Sequence, residues 1–119
     1  MARKRGRARP FGIYAAEEQV FRFYPDGVVL DVLVKPAPRP AEGQAIAAWL
    51  HRKASAPLSG VYLAHYEFSE GFISFTTRSH FRDEAIDVCG RWSVDRLILD
   101  RRDAGRLQTG LHFLRIWPT

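Results

Sequence analysis

A chain of 119 residues, 46% of them apolar and 26% charged, predicts one ordinary globular domain, since halves of it would be too small to bury a core. No apolar run approaches the roughly 20 residues of a membrane helix, and the basic start MARKRGRARP lacks the apolar stretch and cleavage site of a secretory signal. The single cysteine, Cys89, excludes an internal disulfide framework and fits a reducing compartment, so the expected location is cytoplasmic, with no membrane attachment. The net charge of +5 sits on Arg3, Lys4, Arg5, Arg7 and Arg9; the other 13 basic residues balance 13 acidic ones. Residues 1–10 therefore read as a disordered basic tail and 11–119 as a single domain. A short basic arm holds phosphate backbones only nonspecifically, so nucleic acid is not an expected partner beyond the tail.

The first strand is placed near Glu18–Tyr24, and Val28–Val34 returns antiparallel to it. Between them, Pro25 presets the second position of a type I turn and Gly27 takes the left-handed conformation after it, giving a three-residue loop with a glycine bulge. On the outgoing strand Phe21 and Phe23 share one face, and Arg22 and Tyr24 the other. On the return strand Leu30, Val32 and Val34 are assigned to the apolar face and Asp31 and Lys35 to the wet one. Val29 and Leu33 break that alternation, which implies that the outer face is also partly covered. The prolines of KPAPRP end the strand. AEGQAIAAWLHRK (Ala41–Lys53) is the one helical pattern, with Ile46, Trp49, Leu50 and Lys53 on a single stripe. ASAPLSG stops it.

Short strands follow near Gly60–Phe68, Phe72–Thr77, Glu84–Trp92, Arg96–Arg102 and Gln108–Trp117. Their connectors are too short for crossover helices, so neighbours run antiparallel. With one helix to cover a sheet face, closure removes the exposed edges. The expected fold is mainly β: an antiparallel meander forming a small barrel or curled sheet of about seven strands, with one capping helix between the second and third. Inward candidates are Phe21, Phe23, Leu30, Val32, Ile73, Phe75, Ile86, Val88, Leu97 and Leu99.

FRFYPDGVV, the helix ending in AAWL, GVYLAHYEF and GFISFTT resemble, in that order, a group of small lipocalin-like β-barrels with an LRFYPDG-type hairpin. That group includes the domain after the F-box in some ubiquitin-ligase adaptors and short bacterial and invertebrate proteins. The likeness spans roughly Gln19 to Ile116, and its specific part is the hairpin. A turn and its aromatics transfer a fold, not a function. The chain has no F-box, so adaptor function does not follow, and the resemblance implies no catalytic residue.

Cys89 lies between Asp87 and Arg91 on one strand face and reads as a small packing residue. His65, His80 and His112 lack metal-ligand spacing and read as solvated or core-edge residues, so no metal or cofactor is expected. Adjacent Glu17 and Glu18 point to opposite sides of an extended chain and make no carboxylate pair. No nucleophile elbow, phosphate loop or dinucleotide fingerprint occurs. The expectation is thus a non-catalytic binding domain holding a small hydrophobic or amphipathic ligand in the barrel. The alternative is a protein-interaction or self-association module with a solid core. Tyr62, Tyr66 and Arg115 are the candidate ligand contacts, as polar residues on strands whose other face is also apolar.

Overall fold

The computed structural model describes residues 8–53 and 60–118. Eight strands form a closed antiparallel barrel in which each pairs with the next and the last returns to the first. They are β1 (Gly12–Ala16), β2 (Gln19–Phe23), β3 (Val28–Leu33), β4 (Tyr62–Ser69), β5 (Phe72–Arg78), β6 (Ala85–Trp92), β7 (Arg96–Asp103) and β8 (Arg106–Trp117). The strand beyond the expected seven is β1. Glu17, at φ 53°, and Glu18 form the tight turn between Ala16 and Gln19, so FGIYAAEEQVFRFY folds as two strands rather than a lead-in to one. The Pro25–Gly27 loop has the expected form: Gly27 lies at φ 100° and donates its N–H to the Tyr24 carbonyl.

Helix α1 (Gly43–Trp49) lies between β3 and β4, preceded by a 3-10 turn at Pro40–Glu42. It is shorter than the expected 41–53. Its C-terminal carbonyls are taken by a strand residue: Arg22 Nη1 donates to Leu50 O at 2.6 Å and to Ala47 O at 3.1 Å. The same guanidinium lies over the Trp117 ring at 4.6 Å. Most of the expected helix stop, ASAPLSG, falls outside the described residues. No helix among the described residues is long and apolar enough to cross a membrane.

Among the described residues there are two apolar clusters, one on each side of the sheet. The interior is filled by Tyr14, Phe21, Phe23, Val29, Tyr66, Ile73, Phe75, Ile86, Val88, Leu97, Leu99 and Phe113. Its rings interlock, with Phe21 centred 5.2 Å from both Phe75 and Phe113 and Phe23 at 5.5 Å from Tyr66. The second cluster joins Ile13, Val20, Leu30, Val32 and Ile116 on the outer face to Ile46 and Leu50 of the helix. Gly43 sets how close the helix comes, since a Cβ there would overlap the Ile116 carbonyl.

Two expectations about facing are corrected. Leu30 and Val32 point outward beneath the helix, because Phe21 pairs with Asp31 and Arg22 with Leu30, which puts Asp31 and Val29 inside. Trp49 is 41% exposed rather than part of the buried stripe. Seven residues make about two helical turns, and Ile46 and Leu50, four apart, occupy the sheet-facing positions. The helix therefore covers a flank of the barrel and not either of its ends.

Candidate functional site at the barrel mouth

The two ends of the barrel differ in chemistry. At the end holding Pro10 and Pro118, Tyr14 Oη donates to the Val94 carbonyl at 2.8 Å and accepts from Trp92 Nε1 at 3.0 Å. Tyr66 Oη donates to the Tyr24 carbonyl at 2.6 Å, and Arg115 Nη1 reaches the Val94 carbonyl at 3.3 Å. Burial pushes both phenol pKa values up; the Trp92 hydrogen bond opposes this at Tyr14, and the charge of Arg9 opposes it at Tyr66. Residues 8–10, which the charge pattern assigns to the tail, lie against this end: Pro10 is buried and Arg9 Nε donates to the Pro25 carbonyl at 2.7 Å. This end is sealed.

At the opposite end sits Asp31, 1% exposed. Three side chains converge on its carboxylate. Gln19 Nε2 donates to Oδ1 at 2.5 Å, Thr77 Oγ1 to Oδ2 at 2.5 Å, and His80 Nε2 lies 2.8 Å from Oδ1. Three strands and one loop thus supply this cluster. Asp31 and Thr77 come in by strand alternation, Gln19 by its place at the start of β2, and His80 by the turn after β5. That turn is held by Ser79 Oγ, which accepts from the amides of Phe81 and Arg82 at 3.0 Å each. A buried carboxylate is tolerated only when its lone pairs are used, and these donors use most of them.

Over His80 lies Tyr62, its ring stacked at 4.7 Å and its hydroxyl directed at the Ser79 carbonyl. Below the carboxylate is a cavity of about 20 Å³ with a floor of Phe21, Ile86, Val88, Leu99, Leu111 and Phe113. Such a space accommodates about one water-sized group. Arg101 reaches its rim, and its Nε is buried without a hydrogen-bond partner among the described residues. A buried donor left in this state carries a desolvation cost that an incoming acceptor would relieve.

Of the three candidate ligand contacts, Tyr62 borders this mouth, while Tyr66 and Arg115 stand at the sealed end. His65 and His112 lie on the outer surface, and no group of three or more His, Cys, Asp or Glu side chains able to hold a metal occurs among the described residues. The Asp31–His80 pair orients an imidazole. No hydroxyl, thiol or amine among the described residues hydrogen-bonds to that ring. Cys89 lies opposite Ser74 and Asp100 on the outer face.

Sequence reasoning missed Asp31, Gln19, Thr77, His80 and Arg101 as a cluster. One signal was present. In VVLDVLV both strand faces are apolar, so either facing buries the aspartate, and a buried aspartate must have partners. No family model, curated protein or solved structure matches this chain.

Proposed function

We propose that this barrel is a non-catalytic interaction domain with a solid core, engaging a protein partner from outside. The observation that supports it is the interior volume. A cavity of about 20 Å³ is an order of magnitude below the few hundred Å³ that a small-molecule pocket occupies. Apolar side chains left on the outer surface support the same reading. The strand register sets Phe72, Arg91, Ile98 and His112 side by side across β5–β8, with Leu114 two residues further along β8. Phe72 and Leu114 are about half exposed, at 49% and 50%. Neighbouring exposed apolar groups on one sheet face fit a contact surface. Native mass spectrometry of the purified protein tests the reading. A bare polypeptide mass is expected; a stoichiometric apolar molecule that shifts the Phe21 and Phe113 resonances would overturn it.

A second reading is favoured by the unpartnered Arg101 at the mouth. In it, the polar head of a small amphipathic ligand would sit between Arg101, His80 and Tyr62, its apolar part displacing side chains of the cavity floor. Titration with medium-chain carboxylates, followed through the Tyr62 and His80 ring signals, tests it. Unmoved signals at saturating ligand would dismiss it.

A further inference from the structure

The barrel seam between β1 and β8 is short. Their register covers Ile13–Ala15 against Leu114–Trp117, while Arg106–Leu114 pairs with β7. Along residues 106–112 the other edge of β8 therefore has no strand beside it among the described residues. The Arg115 amide donates to Asp95 O on the β7 side; by alternation the backbone groups of Phe113 face β7 and those of His112 face the open edge. A crevice of about 490 Å³ runs along this edge, from Ala16 and Glu17 to Gln108 and His112. Arg101 lines it as well as the mouth cavity. Arg101 is on the inward side of β7, opposite Gln108, and forms no ion pair among the described residues.

An unpaired strand edge is a template for another extended chain. A strand added there would lie two strand spacings, about 10 Å, from β7. Every second side chain of it would point inward, on the side of Arg101, within joint reach of an arginine and a glutamate. A carboxylate is the group that matches a vacant guanidinium fork. Glu17 stands on the far bank and would repel an acidic chain from β1, which favours a path along β8. Other occupants fit less well. The segment before the barrel carries Arg3, Lys4, Arg5 and Arg7, the wrong sign for Arg101. A second copy pairing along β8 would bring its Arg106, and with the adjoining β7 its Arg101 and Arg102, to the same place, and Gly110, bulged at φ 66° and tied to Asp100 Oδ1 at 3.0 Å, interrupts an even self-pairing.

We propose that the β1–β8 crevice binds an extended acidic peptide segment of a partner protein, by strand addition to β8 with a Glu or Asp carboxylate on Arg101. This rests on the interaction-domain reading and names its partner chemistry. The test uses the full chain and end-blocked peptides of alternating Val and Thr with one central Glu, a matched peptide with Gln, and a Glu peptide N-methylated at alternate amides. Affinities come from amide shift titrations and the site from hydrogen exchange. The Glu peptide should bind roughly tenfold tighter than the Gln peptide, protect residues 108–112, and lose binding when N-methylated. Arg101→Gln should bring the Glu and Gln peptides level, and Arg101→Lys should leave an intermediate preference. Equal affinities on the unaltered protein, or protection confined to residues other than 108–112, would overturn the proposal. If no peptide binds but the protein self-associates and Ile98→Glu abolishes that, the crevice proposal fails while the interaction-domain reading stands. If neither occurs, both fail.

Discussion

Asp31→Asn tests whether the mouth cluster holds the barrel together. The carboxylate accepts from Gln19, Thr77 and His80, all within 2.8 Å, and it is 1% exposed, so little solvent screens or replaces these bonds. An amide has the same shape but presents one carbonyl and one NH₂. Thr77 can turn its hydroxyl to accept from that NH₂, but Gln19 and His80 both donate to Oδ1. One orientation of the amide keeps both and loses the charge; the other sets a donor against two donors. A hydrogen bond to a charged group contributes about 1.5–3 kcal/mol, and leaving a buried donor unmatched costs about 1–3 kcal/mol. The substitution should therefore destabilise by about 3 kcal/mol, which at this chain length lowers Tm by roughly 10 °C. Urea unfolding read by circular dichroism measures it. A cycle with His80→Gln isolates the pair and should give a coupling of at least about 1 kcal/mol. A loss under about 1 kcal/mol for Asp31→Asn, or additivity within about 0.5 kcal/mol, would refute the view that this carboxylate is held by its donors.

Three further outcomes follow from the geometry. Arg22→Met strips the Ala47 and Leu50 carbonyls of their donor and should cost about 2 kcal/mol, with hydrogen exchange quickening at the helix end before the strands; uniform quickening would contradict it. Gly43→Ala drives a methyl into the Ile116 carbonyl and should cost more than about 2 kcal/mol, while Ala48→Gly, exposed on the same helix, should cost about 1 kcal/mol or less; equal effects would show that the close approach is unimportant. Tyr14 and Tyr66 have phenol pKa values raised by burial, so above the ordinary value of about 10 the unfolded chain releases protons that the folded one keeps. Stability should then fall as pH climbs from about 10 through the raised folded values, and Tyr14→Phe should flatten that fall; tyrosinate absorbance that rises fully before any loss of near-ultraviolet dichroism would contradict it.

Much of the fold was legible because hairpins announce themselves locally. The strands of the second half match their expected positions within about two residues, and Pro25–Gly27 has the turn its residue types demand. The facing of β3 was not legible. Its alternation has two apolar faces, and a charged residue in the middle ordinarily marks the solvent side. The helix decides the matter from outside, by offering Leu30 and Val32 a second apolar surface and leaving Asp31 to the interior. That surface depends on Ile46 and Leu50 arriving across a long connection, which local periodicity does not report. The same limit hid the mouth cluster: Gln19, Asp31, Thr77 and His80 lie up to 61 positions apart along the chain. Tyr62 and Tyr66 do lie on the inward side, since Tyr62 pairs with the inward Asp31 and Tyr66 is buried.

The solidity of the interior has a physical origin in this sequence. A barrel of eight strands is just wide enough either to be filled by its side chains or to hold one small ligand. Here Tyr14, Phe21, Phe23, Tyr66, Phe75 and Phe113 fill it from five of the strands. Admitting a ligand would require displacing a ring, and a large-to-small change at such a position typically costs about 3–5 kcal/mol. A ligand would have to recover that from its own contacts before showing any affinity. The outer surface carries no such penalty: Phe72, Ile98, Leu114 and the edge of β8 are already exposed to a partner. Binding on the outside therefore begins from a lower cost than binding within, and the crevice beside Arg101 is where an unpaired strand edge and an unpaired charge coincide.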